Sequence, residues 1–112
     1  MSEEILDWQE AIARVLNKRD LYVKLLNKFI DSEKDSSSRV EQALKSGDTE
    51  EARKIVHTTK GAAANLGAKA LAASALELET AIRAGGDTSV AMENFSSAVT
   101  DTVAAMSAFI AQ

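Results

Sequence analysis

The hydrophobic positions of this chain recur at intervals of three and four along most of its length, the spacing of one face of an α-helix. Ile5, Trp8, Ile12 and Val15 form a first stripe and predict a short amphipathic helix over residues 5–16. Tyr22, Leu25, Leu26 and Phe29 form a second, predicting a helix from Asp20, whose side chain can cap it, to about Ile30. The stretch "DSEKDSSSR", residues 31–39, is polar and serine-rich and reads as a loop between helices. Val40 and Leu44 mark a shorter third helix, with Ser38 and Glu41 as a capping box and Gly47 as its stop. Asp48 with Glu51 opens a fourth helix that continues to about Leu66 and ends at Gly67. Leu71, Ala75, Leu78 and Ile82 predict a fifth, stopped by Gly85 and Gly86. Met92, Phe95, Val99, Val103, Met106 and Ile110 predict a sixth. Each long helix has one apolar stripe to bury, and short connections make neighbours antiparallel. The expected fold is all-α: an antiparallel four-helix bundle with one or two short extra N-terminal helices, residues 1–112 forming a single domain.

Composition agrees. A chain of 112 residues suits one domain with one core. It has no proline and abundant alanine, and both favour helix. Without cysteine there is no disulfide framework, thiolate chemistry or zinc ribbon. A net charge of −4 argues against a general nucleic-acid binder, which needs a basic face. No apolar run approaches the roughly 18 residues of a membrane span. The acidic start "MSEEILDWQE" lacks the basic and apolar regions of a signal peptide. A cytoplasmic domain with neither nucleic acid nor membrane as partner is expected.

The one histidine, His57, lies in "VHTTKGAAANLG" on the fourth helix. Turning that helix by roughly 100° per residue puts Ala52, Ile55, Val56, Thr59, Ala62, Ala63 and Leu66 on the side away from His57. Arg53, Lys54, Lys60, Gly61 and Ala64 share its side. His57 is therefore on the polar face, where it can be reactive or merely exposed. Its neighbours favour the first. Positions i+3 and i+4 lie beside it, and they hold a cation, Lys60, and a glycine, Gly61. A glycine inside a helix costs on the order of 1 kcal/mol relative to alanine, and alanine is used freely around this one. The missing side chain leaves room for a bulky group on His57 or for a partner surface; close packing of another helix over Gly61 is the competing explanation. A phosphoryl group suits an exposed imidazole with a cation and empty space beside it, because Lys60 can pair with its charge. Arg53 and Lys54 add positive field, or are simply a solvated helix face.

Other chemistries fit poorly. In "TKGAAANLG" the lysine precedes its glycine, the reverse of a phosphate-binding P-loop, and no G-x-G-x-x-G occurs, so no ATP site is legible. With Lys54 where a Glu-x-x-His pair needs its carboxylate, no metal site is expected. Ser–His–Asp hydrolysis needs a strained nucleophile turn and an oxyanion hole, and nothing here resembles either.

Residues 57–79, "HTTKGAAANLGAKALAASALELE", resemble the signature of histidine-containing phosphotransfer (HPt) domains: His-x-x-Lys-Gly, small residues, Leu-Gly-Ala, then a helix ending in Leu-Glu. The stretch "LDWQEAIARVLNKRDLYVKLLNKFI" is similar to the family's entry helices and "ALKSGDTEEARKIVH" to the approach to its active helix, so the resemblance covers nearly the whole chain. His-x-x-Lys-Gly alone is a weak pattern; with Leu66-Gly67-Ala68 and Leu78-Glu79 at the right offsets it is strong. Two positions depart from the family: Thr59 stands where a large apolar residue is usual, and "NKRD" lacks the glycines often found there. A buried threonine can bond the carbonyl one turn back, so only a small effect on stability is expected.

The resemblance implies a four-helix bundle that relays phosphoryl groups without kinase activity of its own. His57 would accept the group from a phospho-aspartate of one receiver domain and pass it to the aspartate of another. The receivers would belong to hybrid sensor kinases and response regulators. Lys60 would be the phosphate-side lysine, Gly61 would give space, and Arg53, Lys54 and Ala64 would lie on the docking face. Glu79 would accept the Nδ1–H of His57, fixing the tautomer and leaving Nε2 free to attack. The partner would supply Mg²⁺, so this chain needs no cofactor, and one exposed histidine suffices for a monomer. The alternative is a helical adaptor that docks receivers or other signalling proteins with His57 chemically idle, a role that does not require the His57, Lys60 and Gly61 trio.

Overall fold

The computed structural model describes residues 5–112; the acidic stretch 1–4 lies outside the described residues. Six helices follow in order: α1 Trp8–Ala13, α2 Arg19–Glu33, α3 Ser36–Lys45, α4 Thr49–Asn65, α5 Lys69–Ala84 and α6 Ser89–Ala111. Helices α2 and α3 run almost end to end along α4. Tyr22, near the start of α2, bonds the end of α4, while Glu33, at the end of α2, bonds its middle. This bent α2–α3 rod, α4, α5 and α6 make up the antiparallel four-helix bundle, and α1 is the short extra helix.

Residues with helical spacing in the sequence supply the core. Tyr22, Leu26, Val40, Val56, Leu71, Leu78, Phe95 and Met106 are all fully buried. Each large apolar side chain so removed from water contributes about 1.5–3 kcal/mol relative to exposure.

The structure corrects two expected boundaries and one expected face. First, α1 is shorter than 5–16. Asp7 caps it, accepting from the Glu10 N–H at 3.3 Å. Past Ala13 the chain turns, Leu16 and Asn17 take left-handed φ of 57° and 59°, and the Asn17 N–H closes on the Ile12 carbonyl at 2.9 Å. Val15 still packs against the core, but Leu16 is 78% exposed.

Second, residues 31–39 are mostly helical. Glu33 is buried against Thr59, which keeps α2 helical to its end, and Ser36 is fully buried at the start of α3. Only Lys34 and Asp35 break the rod. Ser38 and Glu41 therefore sit inside α3 and form no capping box, and Asp20 is a first-turn residue of α2 rather than its cap. Its charge there still meets the positive end of the helix dipole.

Third, the buried face of α6 is rotated from the expected stripe. Ala91, Phe95, Val99, Thr102, Met106 and Phe109 face inward, and Met92, Val103 and Ile110 flank them half-buried. Phe109 turns inward because Trp8 and Tyr22 meet its ring, at centroid distances of 5.4 and 5.3 Å.

The remaining boundaries follow the sequence. The Asp48 carboxylate caps α4 by accepting from the Glu51 N–H at 3.0 Å. Glycines close α3 and α4, the Asp48 N–H reaching the Ala43 carbonyl past Gly47 and the Ala68 N–H the Ala63 carbonyl past Gly67. Among the described residues no helix is long and apolar enough to cross a membrane.

Candidate functional site

The turn between α4 and α5 sets the register of the site. Gly67 has φ of 86°, and a Cβ there would run into the backbone carbonyl of Asp7. Its own carbonyl accepts from the Asp7 N–H at 2.8 Å. Only glycine fits both the left-handed backbone and this close approach. The preceding residue is held too: the Leu66 carbonyl accepts from the buried Tyr22 hydroxyl at 2.8 Å. Arg14 donates to the Asn65 carbonyl at 2.7 Å, and Lys69 pairs with Asp7 at 3.0 Å. With the turn so fixed, antiparallel α4 and α5 bring together residues at similar distances on either side of it. His57 and Glu79 are such a pair.

His57 stands on the outer face of α4 with its side chain 61% exposed. Its Nδ1 lies 3.1 Å from Glu79 Oε2. A carboxylate only accepts, so this contact calls for the hydrogen on Nδ1, and in the neutral ring the lone pair is then on Nε2. Glu79 itself is buried, its side chain 4% exposed. Lys60 donates to Glu79 Oε1 at 2.7 Å, and the guanidiniums of Arg53 and Arg83 lie 3.9 and 3.7 Å from Oε2. The Lys60 hydrogen bond holds the Glu79 carboxyl below the usual carboxylate range; burial opposes this, and the His57 bond assists it. A buried carboxylate is costly unless paired, and here one is paired from α4 and from its own helix, α5.

Gly61 lies beside this group with open space where a Cβ would be, so among the described residues no helix packs over it. The polar-face residues fall where the wheel puts them: Lys54 and Ala64 are exposed and Arg53 is half-buried. Arg53 is not a free cation, since Glu50 pairs with it at 2.7 Å. Of the opposite face, Ala52, Ile55, Val56, Thr59, Ala63 and Leu66 are buried.

Thr59 bonds the Ile55 carbonyl at 3.0 Å, the back-bond anticipated for a threonine in the core. Its hydroxyl also lies 2.6 Å from Glu33 Oε1, a contact no local pattern announces. Arg83 is the other residue that sequence reasoning missed. The signal was present, since Arg83 follows Glu79 by one turn, the spacing of a helical ion pair. It could be read only once Glu79 was known to face His57. Among the described residues no group of histidine, cysteine and carboxylate side chains could hold a metal ion.

The site thus joins an exposed imidazole on a helical bundle to a buried carboxylate, with a lysine and an empty glycine position beside it. The family model of the Hpt domain matches residues 24–109, and the chain belongs to that family. The fold is shared with the crystal structure of histidine-containing phosphotransfer protein B from Pseudomonas aeruginosa PAO1, at a TM-score of 0.85 and 24% sequence identity, over 98% of this chain and 97% of that one. No curated protein matches the chain. As a member of this family the protein is a phosphotransfer intermediate of two-component signalling, and Hpt domains interact with receiver domains.

Proposed function

We propose that His57 is the phosphoacceptor and that the protein is an intermediate of a multistep phosphorelay. The observation that carries this reading is the pairing of an exposed imidazole with a buried carboxylate: His57 Nδ1 is 3.1 Å from Glu79 Oε2. Nε2 then keeps its lone pair and attacks the phosphorus of a phospho-aspartate on a receiver domain. The aspartate leaves as carboxylate, and the same steps in reverse load the aspartate of a second receiver. One receiver would belong to a hybrid sensor kinase and the other to a response regulator.

Lys60 stabilises the arriving charge. Its ammonium has three donors, of which Glu79 engages one, so it can serve the carboxylate and a phosphoryl oxygen together. Gly61 leaves the space the group and the partner need. Lys54 and Ala64, with Arg53 at the edge, form the docking face, and the Lys54 charge would complement an acidic receiver pocket and speed encounter. Mg²⁺ belongs to the receiver in this reading, and the chain binds no cofactor and no ATP. The protein acts as a monomer in the cytoplasm.

The test is transfer from a phosphorylated receiver domain of the same genome, with His57→Gln alongside. Acid-labile label on the wild type and none on His57→Gln is expected. Detectable binding without label from any such receiver would overturn the reading in favour of an adaptor.

A further inference from the structure

The hydrogen-bond inventory of the site bears on where the ring proton goes when phosphate arrives. Attack by Nε2 leaves the imidazole positively charged, with hydrogen on Nδ1 and phosphorus on Nε2. Free in water, such a ring can then shed the Nδ1 proton. Here Nδ1 faces Glu79. An ionised carboxylate is an acceptor only. If the proton left, a ring lone pair and a carboxylate oxygen would confront each other at the present 3.1 Å with nothing between them.

The carboxylate is also not free to turn away. Lys60 holds Oε1 at 2.7 Å, Arg53 and Arg83 flank Oε2, and the side chain is 4% exposed. The Lys60 hydrogen bond keeps Glu79 ionised and unable to supply a proton of its own. Glu50, paired with Arg53, is the next acidic group on α4. The cations also act on the ring, in the opposite sense, but they are bonded to or gathered around the carboxylate, which alone touches Nδ1.

We propose that Glu79 holds the Nδ1 proton on His57 through the whole relay cycle, so that the phosphoryl group moves in and out without net proton release. The inference rests on His57 being the acceptor. The step balances as written. The Nε2 lone pair forms the N–P bond, and the P–O bond of the acyl phosphate breaks with its electron pair going to the aspartate. The ring gains the positive charge, and Nδ1 keeps its hydrogen. A charged ring is a better leaving group than a neutral one, so the carrier stays poised to pass the group on. Glu79 is thus a positioning residue that also sets the lability of the phosphohistidine.

Two measurements test this. In the first, the wild type is labelled with ¹⁵N-histidine, phosphorylated with phosphoramidate, and followed by Nδ1 chemical shift from about pH 6.5 to about pH 8.5, across the ordinary histidine range. The shift should stay that of a protonated nitrogen; movement to the value of an unprotonated one within that range would overturn the proposal. In the second, the equilibrium constant for transfer from an acetyl-phosphate-loaded receiver domain is compared between wild type and Glu79→Gln. The amide of glutamine can accept from Nδ1–H or donate to a bare Nδ1, so it lets the proton go. The ratio of variant to wild-type constants cancels the receiver's own titrations and should rise by up to about tenfold per pH unit as the proton is lost. A ratio independent of pH would show that Glu79 is not what holds the proton. Failure to phosphorylate wild-type His57 at all would instead count against its role as acceptor.

Discussion

Tyr22 links the core to the end of the helix that bears His57, and replacing it with phenylalanine isolates that link. The ring is fully buried, and its hydroxyl donates to the Leu66 carbonyl at 2.8 Å. Leu66 is the C-cap of α4, so its carbonyl is one of the last four, which have no partner within the helix. Tyr22→Phe keeps the ring but strands this buried acceptor, at a cost of about 1–3 kcal/mol. For a domain of this size each kcal/mol lowers Tm by about 4 °C.

The same burial, with a smaller contribution from the Asp7 charge, pushes the phenol up from 10.0 to about 12. The neutral phenol is the form the fold favours. Its stabilisation is therefore complete below pH 10 and is lost as pH rises from 10 to 12. Two units correspond to about 2.7 kcal/mol at the limit, of which about 1.4 kcal/mol is gone at pH 11. Tyr22 is the chain's one tyrosine, so phenolate absorbance reads this titration directly. Urea unfolding of both proteins at pH 7 and pH 11 completes the assay: Tyr22→Phe should start less stable and lose about 1.4 kcal/mol less than wild type over the interval. A midpoint near 10 in the folded protein, or equal alkaline losses in the two proteins, would refute the reasoning.

The two glycines of the signature predict opposite outcomes for the same substitution. Gly61→Ala meets nothing within 4 Å, so urea unfolding should show stability kept or raised by up to about 1 kcal/mol. Transfer to and from a receiver should nonetheless slow, since the methyl enters the docking space; an unchanged rate would remove the case for that space. Gly67→Ala forces a left-handed alanine and a Cβ into the Asp7 carbonyl, so the same unfolding assay should show a loss of about 1–3 kcal/mol from strain and displacement of α1. A Gly67→Ala protein as stable as wild type would mean that the α4–α5 turn does not depend on that close approach.

The sequence by itself determined what lies within one helix. The spans of α4 and α5, the inward face of α4, and the grouping of His57, Lys60 and Gly61 on its outer face follow from 3.6 residues per turn and from caps such as Asp48 and Gly67. The back-bond of Thr59 is legible for the same reason, since donor and acceptor are one turn apart.

Tertiary structure decided everything that needs two elements at once. Local polarity marks residues 31–39 as a loop, yet Glu33 bonds Thr59 in the core and most of the stretch is helical. The face that α6 buries depends on Trp8 and Tyr22 arriving against Phe109. Sequence resemblance raised Glu79 as a partner for His57. Its burial and its ionisation by Lys60 arise only where α4 and α5 pack in the register that Gly67 permits. A periodic pattern says which side of a helix is apolar. Only packing fixes which residue of another helix stands opposite, and a proton held between two side chains depends on that.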